Sequence, residues 1–197
     1  MAICDCPIIP LALSHRLHLF DTPDTLGKTV ASFLLDGFLA GDHLLIVAKP
    51  RHRDAVFVSL RHAGCFPEKI DGPQRLVVLD AADVLRQITH KGMIDAALFR
   101  KTVKPLVETL ARTGRLRIYG EVVELLAEEE DMAGALALEQ LWNDLATEVP
   151  FTLMCGYSSA HFMGNVGRRA LKHICRAHTQ SIATEEDPLG SYLLTLS

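Results

Sequence analysis

The fold is decided by residues 26–48, which read LGKTVASFLLDGFLAGDHLLIVA. In the first half, apolar side chains recur at the spacing of one helix face, and the pattern ends at Gly41. In the second half, residues 44–48 form a continuous apolar run, which is typical of a strand buried on both faces of a sheet. A helix followed at once by such a strand predicts an α/β fold. The apolar helix face consists of Leu26, Val30, Phe33, Leu34 and Phe38.

The same alternation of strand-like and helical segments continues on both sides of this unit. Four further strand-like runs occupy residues 16–20, 76–79, 116–119 and 151–155. After the acidic run at 128–131, a helical pattern places Trp142 on its apolar face, so we expect this side chain in the core. The sequence therefore predicts one α/β domain with a mainly parallel sheet of at least five strands and helices on both faces.

Composition excludes several classes of protein. The chain has 197 residues, of which 49% are hydrophobic, and this is enough for one well-packed domain. Its formal charge is −4, so it lacks the basic field that general nucleic-acid binding requires. We therefore expect no direct nucleic-acid binding. Every apolar run is interrupted well before the roughly 20 residues that cross a bilayer, so we also expect no membrane span.

The cysteines indicate a reducing environment. Their number is odd, they form no CxxC pair, and the amino terminus has no secretory signal pattern. We therefore predict reduced thiols in a cytoplasmic protein. No Cys and His residues have zinc-finger spacing, so the sequence predicts no metal site. The five cysteines lie at positions 4, 6, 65, 155 and 175.

The tripeptide Gly27-Lys28-Thr29 follows a strand and precedes helical sequence, as in a phosphate-binding loop. The full motif needs a glycine five residues before Gly27, and this chain has Thr22 there, followed by Pro23, which has no backbone N–H. The helical stripe also places Lys28 on the side of a helix. We expect a surface lysine, and nucleotide binding with Mg-ATP stays open as the alternative.

Two acidic residues follow predicted strands. Asp80 follows LVVL and Glu121 follows RIYG, and in open α/β sheets ligands bind at such carboxyl ends. Asp80 would supply the carboxylate of a nucleotide site under the alternative, but its position favours a helix cap. For Glu121, apolar neighbours predict burial, so we weigh a ligand contact equally against a structural hydrogen bond.

Two histidines stand out by position. His18 lies inside the first strand, where a histidine is more often a core residue with its hydrogen bonds satisfied than a ligand contact. His178 ends the last helical segment, where it can contact a ligand or compensate the helix terminus. Cys155 has no neighbouring base in the sequence, which gives no support for nucleophilic catalysis. We therefore expect no catalytic residues.

A family resemblance covers residues 15–182. It is carried by HLF (18–20), FLLDGFLAGDHLLIVA (33–48), VVLDAADVL (77–85), RIYGEVVELL (117–126), ALEQLWNDLATEVPFTLMCGY (137–157) and ICRAH (174–178). In this order and spacing, the segments resemble the MEDS domain, the methanogen/methylotroph DcmR-type sensory domain found in bacterial and archaeal regulators. Residues 1–14 would then be an N-terminal extension, and 183–197 a tail or edge strand that includes SYLLTL.

The resemblance implies a RecA-like three-layer fold, related to the ATPase KaiC, with a degraded phosphate loop. It implies a non-catalytic sensor of small molecules, with hydrocarbon derivatives proposed, that signals to a partner such as a kinase or transcription regulator. No cofactor is required by this interpretation. The positions that match the characteristic residues of the family, and so are candidate ligand contacts, are His18, Glu121, Glu139, Asn143, Cys155, Tyr157 and His178.

Two departures from the family pattern keep alternatives open. Gly27-Lys28-Thr29 is closer to the ATPase ancestor than in most relatives, which favours a nucleotide-binding RecA-like protein or weak NTPase as the second hypothesis. The sequence shows no kinase or DNA-binding module, so we expect a separate output protein. An interaction module without any ligand is the third hypothesis, and the oligomeric state, including a homo-oligomer, stays open.

The resemblance also implies the strand order 5-1-4-3-2. With the five predicted strands numbered along the chain, the strand of His18 would neighbour the strand that precedes Glu121. Both polar groups would be costly to bury without partners. We therefore predict that His18 and Glu121 meet and hold a ligand or ordered water.

Overall fold

The protein is described by a computed structural model that covers residues 14–70 and 75–182. Its main sheet has six strands, and a short antiparallel hairpin pairs two more. In chain order the strands are β1 (Ser14–Phe20), β2 (His43–Ala48), β3 (Leu76–Asp80), β4 (Thr89–His90), β5 (Met93–Ile94), β6 (Leu116–Gly120), β7 (Thr152–Ser158) and β8 (Gln180–Ile182).

Seven α-helices connect these strands within the described residues, together with short 3-10 turns at Pro67–Lys69 and Ser159–Phe162. None of these helices is long and apolar enough to cross a lipid bilayer. The helices are α1 (Pro23–Leu39), α2 (Pro50–His62), α3 (Ala81–Ile88), α4 (Ala96–Arg112), α5 (Val122–Glu128), α6 (Met132–Glu148) and α7 (Gly164–Ala177).

All pairings in the main sheet are parallel, and the strand order is β3-β2-β6-β7-β1-β8. If β1, β2, β6, β7 and β8 are counted as strands one to five, this order is 5-1-4-3-2 with β3 added at the outer edge. The α/β class, the parallel sheet and the RecA-like arrangement are therefore confirmed. The expectation that β6 neighbours β1 was wrong, because β7 lies between these two strands.

Side chains alternate between the two faces of the sheet, and each face carries its own apolar core. One core, packed beneath α1 and α2, includes Leu26, Phe33 and Ile46. The other core, beneath α3 to α7, includes Leu17, Ile118 and Leu153. The structure thus has three layers, and the two faces can carry separate polar sites.

The first helix shows why the sequence pattern worked. Thr22 caps α1 by accepting a hydrogen bond from the Thr25 backbone N–H, and Pro23 occupies the first turn, where its missing donor costs nothing.

Other predictions had mixed outcomes. Trp142 on α6 is 5% exposed, so its predicted inward position is confirmed. The short helices α3 and α5 and the strand β8 were not predicted. The segment SYLLTL and residues 1–13 lie outside the described residues.

Candidate functional site

Gly27, Lys28 and Thr29 lie inside helix α1 and do not form a loop. A Cβ added at Gly27 would stand 2.8 Å from the Ala55 carbonyl oxygen, so this glycine permits close packing of α1 on α2. Lys28 is exposed and pairs with Asp24 one turn earlier on the same helix, at 2.7 Å. The residues proposed to bind phosphate therefore have ordinary helical roles, and this geometry gives no support to the nucleotide-binding alternative.

Asp80 caps a helix, as its position favoured. Its carboxylate accepts hydrogen bonds from the backbone N–H groups of Ala82 and Asp83 at the start of α3. The cap satisfies two backbone N–H groups of the first turn, which have no partner within the helix. Asp80 also lines a cavity beneath α3, described below.

Five of the seven residues matched to the family lie together on the face covered by α6 and α7. Glu139 is fully buried, and its carboxylate accepts a 2.8 Å hydrogen bond from the Tyr157 hydroxyl and one from the Cys155 thiol. Nε2 of His178 stands 3.4 Å from Oε1 of Glu139. We call this group the Glu139 cluster; its members are His15, Glu139, Asn143, Cys155, Tyr157 and His178.

His15 belongs to the cluster although the sequence analysis did not single it out. Its Nε2 is 3.1 Å from Oε2 of Glu139 and 3.3 Å from Sγ of Cys155. Its Nδ1 donates to Oδ1 of Asn143 at 2.9 Å. The missed signal was the alternation of strand side chains, because His15 shares its face of β1 with the buried Leu17 and Leu19.

Charge pairing inside the cluster shifts its titration. Burial alone would raise the pKa of Glu139, but the charge of His178 and hydrogen bonds from His15 and His178 outweigh this and hold that pKa below its usual range. Burial lowers the pKa of His178, but the Glu139 carboxylate outweighs it and raises that pKa overall. Burial, and secondarily Glu139, raises the pKa values of Cys155 and Tyr157 well above ordinary.

Glu121 lies on the opposite face of the sheet and has protein partners for both oxygens. Oε1 accepts a 2.6 Å hydrogen bond from the Tyr119 hydroxyl. Oε2 accepts one from the Lys49 backbone N–H at 2.9 Å and lies 3.1 Å from Nδ1 of His52. Glu121 is fully buried, so of the two roles weighed above the geometry shows the structural hydrogen bonds.

The predicted pairing of His18 with Glu121 was wrong. His18 pairs in register with Gly156 of β7, and this strand separates β1 from β6. Both ring nitrogens of His18 are buried and have no hydrogen-bond partner within the described residues. Burial lowers the pKa of His18 to about 4, so the ring is neutral near pH 7. The position next to Glu121 is taken by His52.

A cavity of about 400 Å³ lies between the sheet and the helices that cover it on the face of the Glu139 cluster. The thiol-bearing Cys155 belongs to both the cavity lining and the cluster. The exposed Asp83 and Gln87 form part of its lining on the solvent side. Most of the remaining lining is apolar and comes from β2, α3, α4, α5 and α6: Leu45, Val47, Val84, Ile88, Phe99, Val103, Val122, Val123, Leu138 and Trp142.

The expected pocket at the carboxyl ends of the strands corresponds in part to this cavity. Val47, Asp80 and Gly120 stand at or next to the carboxyl ends of β2, β3 and β6, and all three line it. The cavity then continues beneath α3 and α4, so a ligand there would be covered by helices. Two of the seven residues matched to the family, His18 and Glu121, lie on the other face of the sheet.

Comparison with known proteins agrees with the geometry. The family described as MEthanogen/methylotroph, DcmR Sensory domain matches residues 14–179, which span β1 to the end of α7. A search of curated proteins found no match. The match includes the Glu139 cluster and the cavity lining. The chain therefore belongs to the MEDS family of sensory domains.

Proposed function

We propose that this domain senses a small, neutral, largely apolar molecule that binds in the cavity, without catalysis, and that a separate signalling protein receives the signal. The observation that carries the proposal is the cavity itself. Its volume of about 400 Å³ lies within the usual range of small-molecule sites. We place the protein in the cytoplasm, and the free thiols of Cys65, Cys155 and Cys175 fit a reducing compartment.

The walls favour one class of ligand. Aliphatic and aromatic side chains form most of the lining, so binding would come mainly from removing apolar surface from water, at about 25 cal/mol per Å². Asp80 and Asp83 add negative charge on the side of α3, which disfavours an anionic ligand. Cys155 lines the interior end of the cavity, but its thiol already donates to Glu139, so it adds no free donor there. Small hydrocarbon derivatives without a negative charge fit this combination.

The helices that cover the cavity give a route for the signal. Helix α3 has only eight residues, and its buried side chains Ala81, Val84 and Ile88 face the core beside the cavity. A molecule beneath α3 would change the packing of this short helix before that of the longer α4 and α6. We propose that the partner protein reads the position of α3. Amide hydrogen exchange, with and without ligand, measures this directly, and protection confined to other helices would contradict this route.

The chain carries its own reporter for binding, because Trp142 is its only tryptophan and lines the cavity. We would titrate the protein with benzene, 1-hexanol and hexanoate and follow Trp142 fluorescence, after native mass spectrometry has tested for a retained molecule. The neutral compounds should shift the emission, and hexanoate should bind at least about tenfold more weakly because of Asp80 and Asp83.

A cavity-filling variant makes the test specific. The nearest atom to a Cβ added at Gly120 is Leu153 Cδ1, at 4.0 Å, and Gly120 lines the cavity, so Gly120→Val should fill part of it without a collision at the Cβ. This variant should fold and lose the fluorescence response. Val58→Leu is the control, because Val58 lies on α2 with its side chain half exposed, and this variant should keep the fluorescence response. An unchanged response in Gly120→Val, or no response to any neutral compound in the wild type, would overturn the proposal.

A further inference from the structure

Four members of the Glu139 cluster form a donor set for a metal ion. One ligand atom each from His15, Glu139, Cys155 and His178 lies within 4.8 Å of every other. All four side chains are shielded from solvent, with at most 7% exposure for His15 and none for Glu139 or His178. Two imidazoles, a thiol and a carboxylate are the donors that zinc takes in proteins. The spacing of these donors in the sequence did not predict a site, because they are distant in the chain and only the sheet and two helices bring them together.

The separations fit tetrahedral coordination. Zinc–ligand bonds of about 2.0–2.3 Å at tetrahedral angles place neighbouring donor atoms about 3.3–3.8 Å apart. In the cluster, His15 Nε2 is 3.3 Å from Cys155 Sγ, which is 3.4 Å from Glu139 Oε2. His178 Nε2 is 3.4 Å from the other oxygen of Glu139. The remaining separations are at most 4.8 Å, which exceeds a tetrahedral edge by up to about 1.5 Å, and rotation of the side chains can close this gap.

Surrounding hydrogen bonds orient both imidazoles for coordination. His178 donates from Nδ1 to the carbonyl of Ile174, at 2.7 Å. Asn143 donates from Nδ2 to the carbonyl of Ala177, which turns its Oδ1 toward His15 Nδ1. Because each Nδ1–H is committed to an oxygen acceptor, Nε2 is the nitrogen that each ring turns toward Glu139, and it becomes a metal donor when any proton it carries is released on metal binding. Such Nδ1–H contacts are the usual outer support of zinc-bound histidines.

A divalent cation balances the charge of this buried group. Nε2 of His15 and Nε2 of His178 both face carboxylate oxygens of Glu139, at 3.1 and 3.4 Å, and the longer contact leaves Nε2 of His178 without a well-formed hydrogen bond in the described part of the chain. One divalent cation with a Cys155 thiolate and the Glu139 carboxylate gives a net charge of zero.

From this geometry we infer that the Glu139 cluster binds one divalent cation of the zinc class through Nε2 of His15 and of His178, Sγ of Cys155 and the carboxylate of Glu139. Tyr157 and Asn143 support the site from outside. Four protein donors close the coordination shell, as in structural zinc sites, so the ion stabilises the join between β1, β7, α6 and α7. The inference does not depend on the proposed sensory ligand, although Cys155 faces both sites.

The first test uses the wild-type full chain and the metal alone. We expect about one equivalent of zinc per chain after purification without chelator, a rise in melting temperature when zinc is returned to the stripped protein, and Co²⁺ absorption with a thiolate charge-transfer band. A stripped protein that binds neither zinc nor cobalt at micromolar concentration would overturn the inference. Cobalt binding without the thiolate band would overturn it as well.

Variants then assign the donors. Cys155→Ser and His178→Ala should each weaken zinc binding at least about 100-fold, and Asn143→Ala about 10–100-fold through loss of outer support. Cys65→Ser, a buried thiol in the other core, and His173→Ala, an exposed histidine on α7, are matched controls and should bind as wild type. If Cys155→Ser fails to fold, the isosteric Glu139→Gln replaces it. Zinc affinity unchanged in the cluster variants would contradict the assignment.

Discussion

The hydroxyl of Tyr119 donates a 2.6 Å hydrogen bond to Glu121 while it lies directly over the backbone of Gly156. A Cβ added at Gly156 would stand 2.5 Å from this hydroxyl oxygen. The absence of a side chain at Gly156 therefore leaves room over β7 for the Tyr119 hydroxyl while it donates to Glu121. These contacts connect strands β6 and β7 with Glu121, the residue at which α5 begins.

Gly156→Ala should destabilise the fold by about 1–3 kcal/mol, because the buried Tyr119 ring must move or lose its hydrogen bond. Urea unfolding followed by circular dichroism measures the loss. In a Tyr119→Phe background, which removes the hydroxyl that the new methyl group meets, the same substitution should cost less. Strictly additive effects in this double-mutant cycle would show that the Tyr119 hydroxyl is not what excludes a side chain at Gly156.

Glu121→Gln should lower stability by about 1–3 kcal/mol without changing ligand occupancy of the cavity. The amide nitrogen would replace one acceptor, and both carboxylate oxygens face donors from Tyr119 and Lys49. Glu121 is not part of the cavity lining. Denaturant unfolding and native mass spectrometry separate the two effects. Loss of a retained ligand at unchanged stability would restore Glu121 to the binding site.

The sequence predicts the layers of this fold well because its long elements carry their own signals. Thr22 and Pro23 mark the start of α1, and the acidic run ends at Asp131, whose side chain caps α6. The buried strands appear as apolar runs because helices cover both faces of the sheet. Such signals are local, so the pairing of distant strands does not follow from them. β6 was wrongly assigned as a neighbour of β1 because the edge strand β3 was counted as the third strand and the three-residue β8 was not counted.

The candidate site was predicted only in part, because its contacts depend on that pairing. Resemblance supplied Glu139, Cys155 and His178, whereas His15 joins them only when β1 lies beside β7. His52 was missed for a different reason. It shares the helical spacing of Val56 and Leu60 on the buried face of α2, but a histidine at such a position gives no sign of which carboxylate it meets.

Lys28→Ala should leave both stability and nucleotide binding unchanged. The Lys28–Asp24 pair is largely exposed, so its loss should change the free energy of unfolding by no more than about 0.5 kcal/mol. Isothermal calorimetry of the wild type with Mg-ATP should show no binding at micromolar concentrations, because Gly27-Lys28-Thr29 lies within a helix. A micromolar constant that disappears in Lys28→Ala would favour the nucleotide-binding alternative instead.

Trp142→Ala should destabilise the domain by about 3–5 kcal/mol, as expected for a large buried aromatic side chain. The indole contacts the rings of Phe99 and Phe151 edge to face, at centroid distances of 5.2 and 5.9 Å. Circular dichroism must follow the unfolding, because the variant has no tryptophan. Leu141→Ala, a partly buried neighbour on α6, is the control and should cost less. Equal losses would mean that the aromatic contacts contribute little.

His18→Leu should make the protein less sensitive to acid. In the unfolded chain His18 takes up a proton near its ordinary pKa of 6.5, whereas burial holds the pKa of the folded state at about 4. Between these values the unfolded state binds more protons, so the contribution of His18 to stability falls as the pH falls. The difference approaches about 3 kcal/mol near pH 4 and vanishes above pH 7.

Urea unfolding of wild type and His18→Leu, measured between pH 7.5 and pH 4.5, isolates this contribution as a difference between the two proteins. The variant should gain stability relative to wild type at each step below pH 6.5. Above pH 7 the difference in unfolding free energy between the two proteins should not change with pH. It should be small or should favour the variant, because both ring nitrogens of His18 lack partners in the described structure and leucine carries no polar atom. His173→Leu is the control and should give no such trend, because this side chain is exposed to solvent in the folded protein. A pH-independent difference for His18→Leu would mean that the folded protein protonates His18 near its ordinary pKa, which a buried ring without partners should not do.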